Sequence, residues 1–465
     1  MSVRRCPTAR AVAPFVWLGW SSLLVGGCTF EALGLGSATQ DTGSESSTGE
    51  GGQPTGGSAE SLTTSTTSTT SSSSTATTSG PTTGAEVCSG GCPPGVGWTA
   101  IADRIGFAVA LDPGGDVLVA GDQVQLDDAG LRDVWVARFA GGDGQLVWEQ
   151  RYNGGERRGD FARAVVVLDD GRIVAGGVSQ EVQGHRQDVW VGWYDAGGGL
   201  LNSGNLGTAK WDGVNTKLDE SMRSLTLDAD GELIAGGTRC QSPCLVPDAW
   251  IGRFSREGVA QWSEPMLVCG PGALRAVAPF AGGLLAVGTD GYAESTAPWR
   301  SLIRSFDASG AGLWSALPES PGAAGFEALG VAVALDGALW VVGRELDGAT
   351  ITGGFVRQYR PGREFMPVQE RRGEELDGEA NAIVVVADGG IVVTGTAGPA
   401  GAPHLWLGGF SDELEPLWRI DESGETVNIG RALAQDPDGV VVLGQINARR
   451  VSPASTWLRR YLYQP

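Results

Sequence analysis

Short apolar runs, each ended by a turn or a glycine, follow one another from Gly97 to the C-terminus. One run, "DVWVARF" (133–139), returns as "DVWVGWY" (188–194), "DAWIGRF" (248–254), "SLIRSF" (301–306), "GFVRQY" (354–359), "LWLGGF" (405–410) and "TWLRRY" (456–461). Every copy closes on an aromatic residue: Phe139, Tyr194, Phe254, Phe306, Tyr359, Phe410 and Tyr461. A pattern that recurs at such a period is architecture before it is a site. Two further runs precede each copy, joined by a turn: "DPGGD" at 112, "DDG" at 169, "DADG" at 228, "AGG" at 281, "DG" at 336, "DGG" at 388 and "DPDG" at 436. The second of those runs closes on Gly121, Gly176, Gly236, Gly288, Gly343, Gly395 and Gly444, spaced 55, 60, 52, 55, 52 and 49 residues apart. A last run follows each copy and often carries tryptophan, as at Trp148, Trp262, Trp314 and Trp418.

Four short strands per period, joined by tight turns, predict a meander sheet. Such sheets repeated radially are propeller blades, which leave only short, protected edges. A linear β-solenoid would need shorter periods and would expose its ends. The seventh unit stops at "YLYQP" without its fourth strand, while "GWTAIAD" (97–103) stands unassigned ahead of unit one and sets Trp98 where the fourth-strand tryptophans fall. The expected fold is therefore all-β: a seven-bladed β-propeller of four-stranded blades, its ring closed by an N-terminal strand that completes the last blade.

The "D-x-D-G-x-hydrophobic-x-x-G" beat resembles the seven-bladed propeller repeats of secreted bacterial proteins, over residues 97–465. The kelch beat is similar at Gly176-Gly177 and Gly236-Gly237 but fails in the other five units, and the paired motifs of WD40 repeats occur only once each, at Gly184-His185 and Trp211-Asp212. The runs "GDGQLVWEQ" and "ELEPLWRI" resemble the tryptophan-docking beat of pyrroloquinoline-quinone-type propellers. That resemblance implies either a quinone-dependent oxidoreductase or a cofactor-free outer-membrane assembly scaffold. Dehydrogenases of that class use eight blades and adjacent cysteines, and this chain has neither, so the scaffold is the better match.

The N-terminus has its own pattern. "MSVRRCPTAR" is basic, "AVAPFVWLGWSSLLVGG" is apolar and too short to span a bilayer comfortably, and the apolar core ends in "LVGGC". That ending resembles a bacterial lipobox, which implies cleavage before Cys28 and acylation of Cys28, an anchor of several chains. The expected domains are a lipoprotein signal peptide (1–27), a Ser/Thr/Gly-rich stalk (28–86), a cysteine-containing lead-in (87–96) and the propeller (97–465). The stalk, with "SLTTSTTSTTSSSSTATTSG" at its centre, has no apolar run to repay the entropy of ordering. The implied location is the bacterial cell envelope, lipid-anchored at the outer membrane or cell surface.

Composition removes some functions. A net charge of −21 disfavours nucleic acid, which needs a concentrated basic patch. Beyond Cys6 and Cys28 there are five cysteines, Cys88, Cys92, Cys240, Cys244 and Cys269. Export makes disulfides among them the expectation, and the x3 spacing of "CSGGC" and "CQSPC" does not suit zinc. The histidines are two, His185 and His404, in units too far apart to cooperate, and neither G-x-S-x-G nor HExxH occurs. The Asp-Gly turns lack the further ligands of a calcium loop. The expected protein is thus a non-catalytic, monomeric binding or scaffold module for a protein or glycan, with no cofactor. Its rivals are a hydrolase or quinone-dependent oxidoreductase, and an outer-membrane assembly scaffold.

Two site expectations complete the reading. The loops between strands 2 and 3 and between strands 4 and 1 are longer and less alike than the 1–2 turns, so binding is expected on their rim. Counting eight residues back from each innermost run places Asp103, Asp160, Asp219, Glu327 and Glu379 beside the central channel, with Gly272 and Val427 breaking the series. These carboxylates either cap nearby amides or form an acidic arc, centred on Asp103, Asp160 and Asp219, that would take a hard cation such as calcium.

Overall fold

A computed structural model of the chain describes residues 92–463, apart from 125–131, 154–158, 181–186, 206–217, 242–246, 263–265, 291–299, 317–324, 349, 361–366, 374–375, 377, 400–401, 423–426 and 447–454. The segments expected to be signal peptide (1–27) and stalk (28–86) lie outside that range. The described elements are antiparallel strands forming seven blades of four. The innermost strands are Ile105–Leu111, Phe161–Val167, Leu218–Leu227, the second half of Met266–Phe280, Gly325–Val333, Gly378–Val385 and Val427–Asp436. Each touches the innermost strand on either side, and the seventh touches the first, so the blades form a ring. Between blades three and four the chain makes no loop. Met266–Phe280 begins as the outer strand of one blade and continues as the inner strand of the next.

The apolar runs are continuous rather than alternating because both faces of a blade pack on its neighbours. In blade one, Val117–Ala120 on the second strand are all buried, whereas the outer strand Leu146–Tyr152 is mostly exposed. The seven closing aromatics are all buried. They pair with the first residues of the second strands, as in Val117 with Phe139 and Val440 with Tyr461.

The glycine beat has a structural cause. Every innermost strand carries a β-bulge whose extra residue is Phe107, Arg163, Arg223, Arg275, Leu329, Asn381 or Arg431. Opposite each bulge stands a glycine: Gly121, Gly177, Gly237, Gly288, Gly343, Gly395 or Gly444. The bulge swings a carbonyl over that glycine, close enough that a Cβ on Gly395 would lie 1.8 Å from Glu379 O. In units two and three the relevant glycine is the second of the pair, Gly177 and Gly237, rather than the first. Across the third strand the same position holds Trp135, Trp190, Trp250, Leu302, Phe355, Trp406 and Trp457. In blade six the Trp406 indole N–H donates to Glu379 O at 3.0 Å, and in blade three the Trp250 N–H donates to Ser221 O at 3.2 Å.

The ring closes by β-pairing. Gly95–Ala102 lies antiparallel to Ser455–Leu462, from Gly95 opposite Leu462 to Ala102 opposite Thr456, and supplies the fourth strand of blade seven. Tryptophans in or just before the outer strand then fasten three of the blades to the next. The indole N–H groups of Trp98, Trp148 and Trp262 donate to Gly141 O (2.8 Å), Ala196 O (3.0 Å) and Ala308 O (3.3 Å), all in the 3–4 turn of the following blade. Trp98, read from the sequence as a stand-in for the missing strand, makes the same contact as its counterparts.

Candidate functional site

The tight-turn rim is ordered by its own acids. Asp112 Oδ1 accepts the amides of Gly114 and Asp116, and Asp228 Oδ1 accepts those of Asp230 and Glu232. Their second oxygens accept from arginines of the third strand: Arg138 on Asp112 (2.5 Å) and Arg253 on Asp228 (2.7 Å). These turns spend their oxygens on backbone and guanidinium groups. Blade four departs from the series. Its short turn, Ala281–Gly282, sits back between longer neighbours and leaves a hollow of about 470 Å³ lined by Phe280, Leu284, Arg253, Asp230, Leu335 and Asp336.

The opposite rim holds the loops expected to bind. Most of them fall outside the described residues, and only their lengths can be read from the strand ends. They run from two residues between Asp347 and Thr350 to twelve between Asn205 and Leu218.

The five carboxylates expected to ring the channel do not share a level. Measured from the bulge, Glu327 and Glu379 stand two residues before it, Asp160 three, and Asp103 and Asp219 four. Counting back from the expected ends failed because Leu168, Leu335 and Ala387 lie beyond the observed ends Val167, Val333 and Val385, and one residue of slip in a strand reverses the face. Asp103 is exposed and accepts from Ser455 Oγ at 3.0 Å. Asp160 is buried, with its amide donating to Arg132 O. The side chain of Asp219 lies outside the described residues; its backbone pairs with Cys240. Only Glu327 and Glu379 are brought together, and arginine joins them. Glu327 accepts from Arg275 (2.7 Å) and Arg344 (2.8 Å), and Arg344 also reaches Glu379 at 3.2 Å. Among the described residues no group of three or more acids, histidines or cysteines is placed to hold a metal ion.

Glu327 is fully buried, whereas Arg275 and Arg344 both reach water. Glu327→Gln should lower stability by about 2 kcal/mol, less than the loss of a wholly buried partner costs, because both arginines can turn to solvent. A thermal melt unchanged by the substitution would contradict this.

What the bulges bring to the channel is positive charge. Four of the seven bulge residues are arginines, on blades two, three, four and seven. Arg163 lies 3.7 Å from the centre of the Phe107 ring and Arg431 lies 5.1 Å from it. Burial pushes the Arg163 guanidinium down to about 10; Asp122 opposes the shift, and Arg223, Arg431 and Arg132 add to it. Burial also raises the Asp122 carboxyl, which is paired with Arg132 at 2.8 Å. The sequence carried the signal as one beat, "ARAV", "MRSL", "LRAV" and "GRAL", with arginine in the same place four times. It was missed because the acids were counted from a different landmark.

Of the remaining candidates, Cys92 is disulfide-bonded. The side chains of Cys88, Cys240, Cys244 and Cys269 lie outside the described residues, as do Cys28 and His185, so the pairing stays an expectation. His404 opens the third strand of blade six and sits 3.2 Å from Asp421.

Strand order, blade number and closure define the chain as a seven-bladed β-propeller, and comparison with solved structures agrees. A polysaccharide lyase, Uly1, is 10% identical, with a TM-score of 0.50, covering 77% of this chain and 90% of its own. The β-propeller domain of the Trilobed protease from Pyrococcus furiosus is 16% identical (TM-score 0.44; 79% and 97% covered). A protein of unknown function from Dyadobacter fermentans DSM 18053 is 11% identical (TM-score 0.46; 80% and 99%). Likenesses this distant concern the fold alone. No family model and no curated protein matches the chain.

Proposed function

We propose that the chain is a lipid-anchored protein of the bacterial cell envelope that displays its propeller as a non-catalytic binding module for a protein or glycan. The observation that carries this reading is the contrast between the two rims. One is built of short Asp-Gly turns whose polar atoms are satisfied internally. The other joins the same strands with loops of two to twelve residues that share no motif. A rigid ring bearing unlike loops on one face is the usual form of a recognition surface. The lipobox-like "LVGGC" and the Ser/Thr-rich stalk support the anchored, exported placement.

Two experiments test it. Cys28→Ser should abolish acylation, so that the protein leaves the membrane fraction or accumulates as precursor. Continued membrane fractionation with normal processing would remove the anchor from the reading. Replacing 206–217 by a short Gly-Ser linker should abolish capture of the partner from an envelope extract, while Asp388→Lys on the tight-turn rim should leave it intact. The reverse result would place recognition on the wrong rim.

A further inference from the structure

We infer that the central channel is a binding site for a multiply charged oxyanion, held by Arg163 and Arg431 on either side of Phe107. The two arginines come from blades two and seven, and Phe107 from blade one between them. Arg163 stacks on Phe107 and lies 5.4 Å from the centre of Phe161, and among the described residues it makes no ion pair and donates no hydrogen bond. Arg431 donates to the neutral Gln445 amide oxygen and likewise has no carboxylate partner among the described residues. This is unlike the rest of the molecule. Arg132, Arg138, Arg253, Arg275 and Arg344 each face an acid within hydrogen-bonding distance. In a chain of net charge −21, two half-buried guanidinium groups sharing one ring with no acid in hydrogen-bonding contact, and only the longer-range attraction of Asp122 and, for Arg431, Glu379, are an exception that needs a cause.

Chemistry narrows the ligand. A guanidinium presents a planar fork of donors that matches carboxylate, sulfate and phosphate oxygens two at a time. Both guanidinium groups lie against Phe107, and Gln445 takes Nε and one Nη of Arg431, so the fork of Arg163 and the remaining Nη of Arg431 are left to meet a guest. Arg223 stands at the same bulge position on blade three and repels Arg163 through its charge. The acids nearest the ring are already engaged: Asp122 by Arg132, and Glu327 and Glu379 by Arg344. An anion entering the channel meets more guanidinium than carboxylate charge, with Arg163, Arg431 and Arg132 around Asp122, and more than one negative charge is needed to balance it. The bulges lie near the loop-rim end of the innermost strands, but the test reads small anions and not a macromolecule, so this inference stands or falls independently of the partner proposed above.

The test uses the purified full-length protein in low-salt buffer, with inorganic phosphate, sulfate and citrate as separate probes at up to about 10 mM and chloride at matched ionic strength as control. The protein should melt about 3 °C higher with at least one of the three than with chloride, the shift expected for a guest well above its dissociation constant. A response to phosphate and sulfate assigns a tetrahedral oxyanion; a response to citrate alone assigns a carboxylate. Arg163→Gln and Arg431→Gln should each remove most of that shift, while Arg163→Lys should retain part of it. Arg138→Gln, on the tight-turn rim, should leave the shift intact and so separates the channel from general surface charge. No shift beyond chloride with any probe, or a shift that survives in both channel variants, would overturn the site and leave the arginines as stacking residues only. If either channel variant fails to fold, calorimetric titration of the unaltered protein with the same probes decides the matter: absence of saturable heat overturns the proposal.

Discussion

Removing Gly95–Ala102 should open the ring and lower stability by about 5 kcal/mol. The strand contributes a ladder of backbone pairs to Ser455–Leu462, each hydrogen bond worth about 1 kcal/mol net. It also buries Trp98, worth about 2 kcal/mol or more by area, and donates the indole hydrogen bond to Gly141 that fastens blade seven to blade one. These terms exceed the entropy recovered when the short strand is released. The loss has a second consequence. Ser455–Leu462 would become an open edge with unpaired backbone groups, a template for association with another chain. A protein beginning at Asp103 should therefore melt well below one beginning at Val87 and should form concentration-dependent oligomers. Adding a peptide that spans Gly95–Ala102 should restore part of the stability. Equal melting temperatures for the two lengths would mean that contacts between innermost strands alone hold the circle.

The blades were legible because a propeller repeats its physics. One aromatic per unit ends the third strand in all seven units, and a Gly-containing turn, Asp-Gly in five of them, joins the first two strands, so the blade count was readable before any geometry was known. The closing strand was legible for the same reason: Trp98 stands in a slot that the other outer tryptophans define. The channel was not legible in the same way. Its residues come from a bulge, and nothing in a local run announces where an extra residue enters a strand. Asp160 and Glu327 look equivalent when counted from Leu168 and Leu335, where the apolar runs end, yet they sit three and two residues before their bulges. Pairing required the third dimension as well. Glu379 belongs to blade six and Arg344 to blade five, and no spacing in the sequence links them. The loop rim stays an expectation, because variable loops carry no repeat to read.

The two glycines of "AGG" in unit two should respond oppositely to the same substitution. Both lie in one strand, both are buried, and alanine is an equal gain in backbone preference at either. Gly177 faces the bulge: a Cβ there would lie 1.8 Å from Phe161 O and 2.8 Å from Ala162 Cα, atoms of a backbone already fixed by two ladders. Relief would require the bulge to straighten, which would turn Arg163 and every residue before it to the other face. Gly176 faces the next blade, where a Cβ would meet Met222 Sδ at 2.4 Å, an atom on a side chain with rotatable bonds to spare. Gly177→Ala should cost about 4 kcal/mol and Gly176→Ala about 1 kcal/mol. Thermal unfolding of the two variants side by side measures the difference, and Gly444→Ala supplies a further comparison. There the nearest carbonyl, Ile429 O, is 3.2 Å away and the closest atom belongs to Leu405, so the cost should resemble that of Gly176. Equal destabilisation at Gly176 and Gly177 would mean that the bulge yields easily, and that the glycine beat reflects packing between blades rather than the path of the innermost strand.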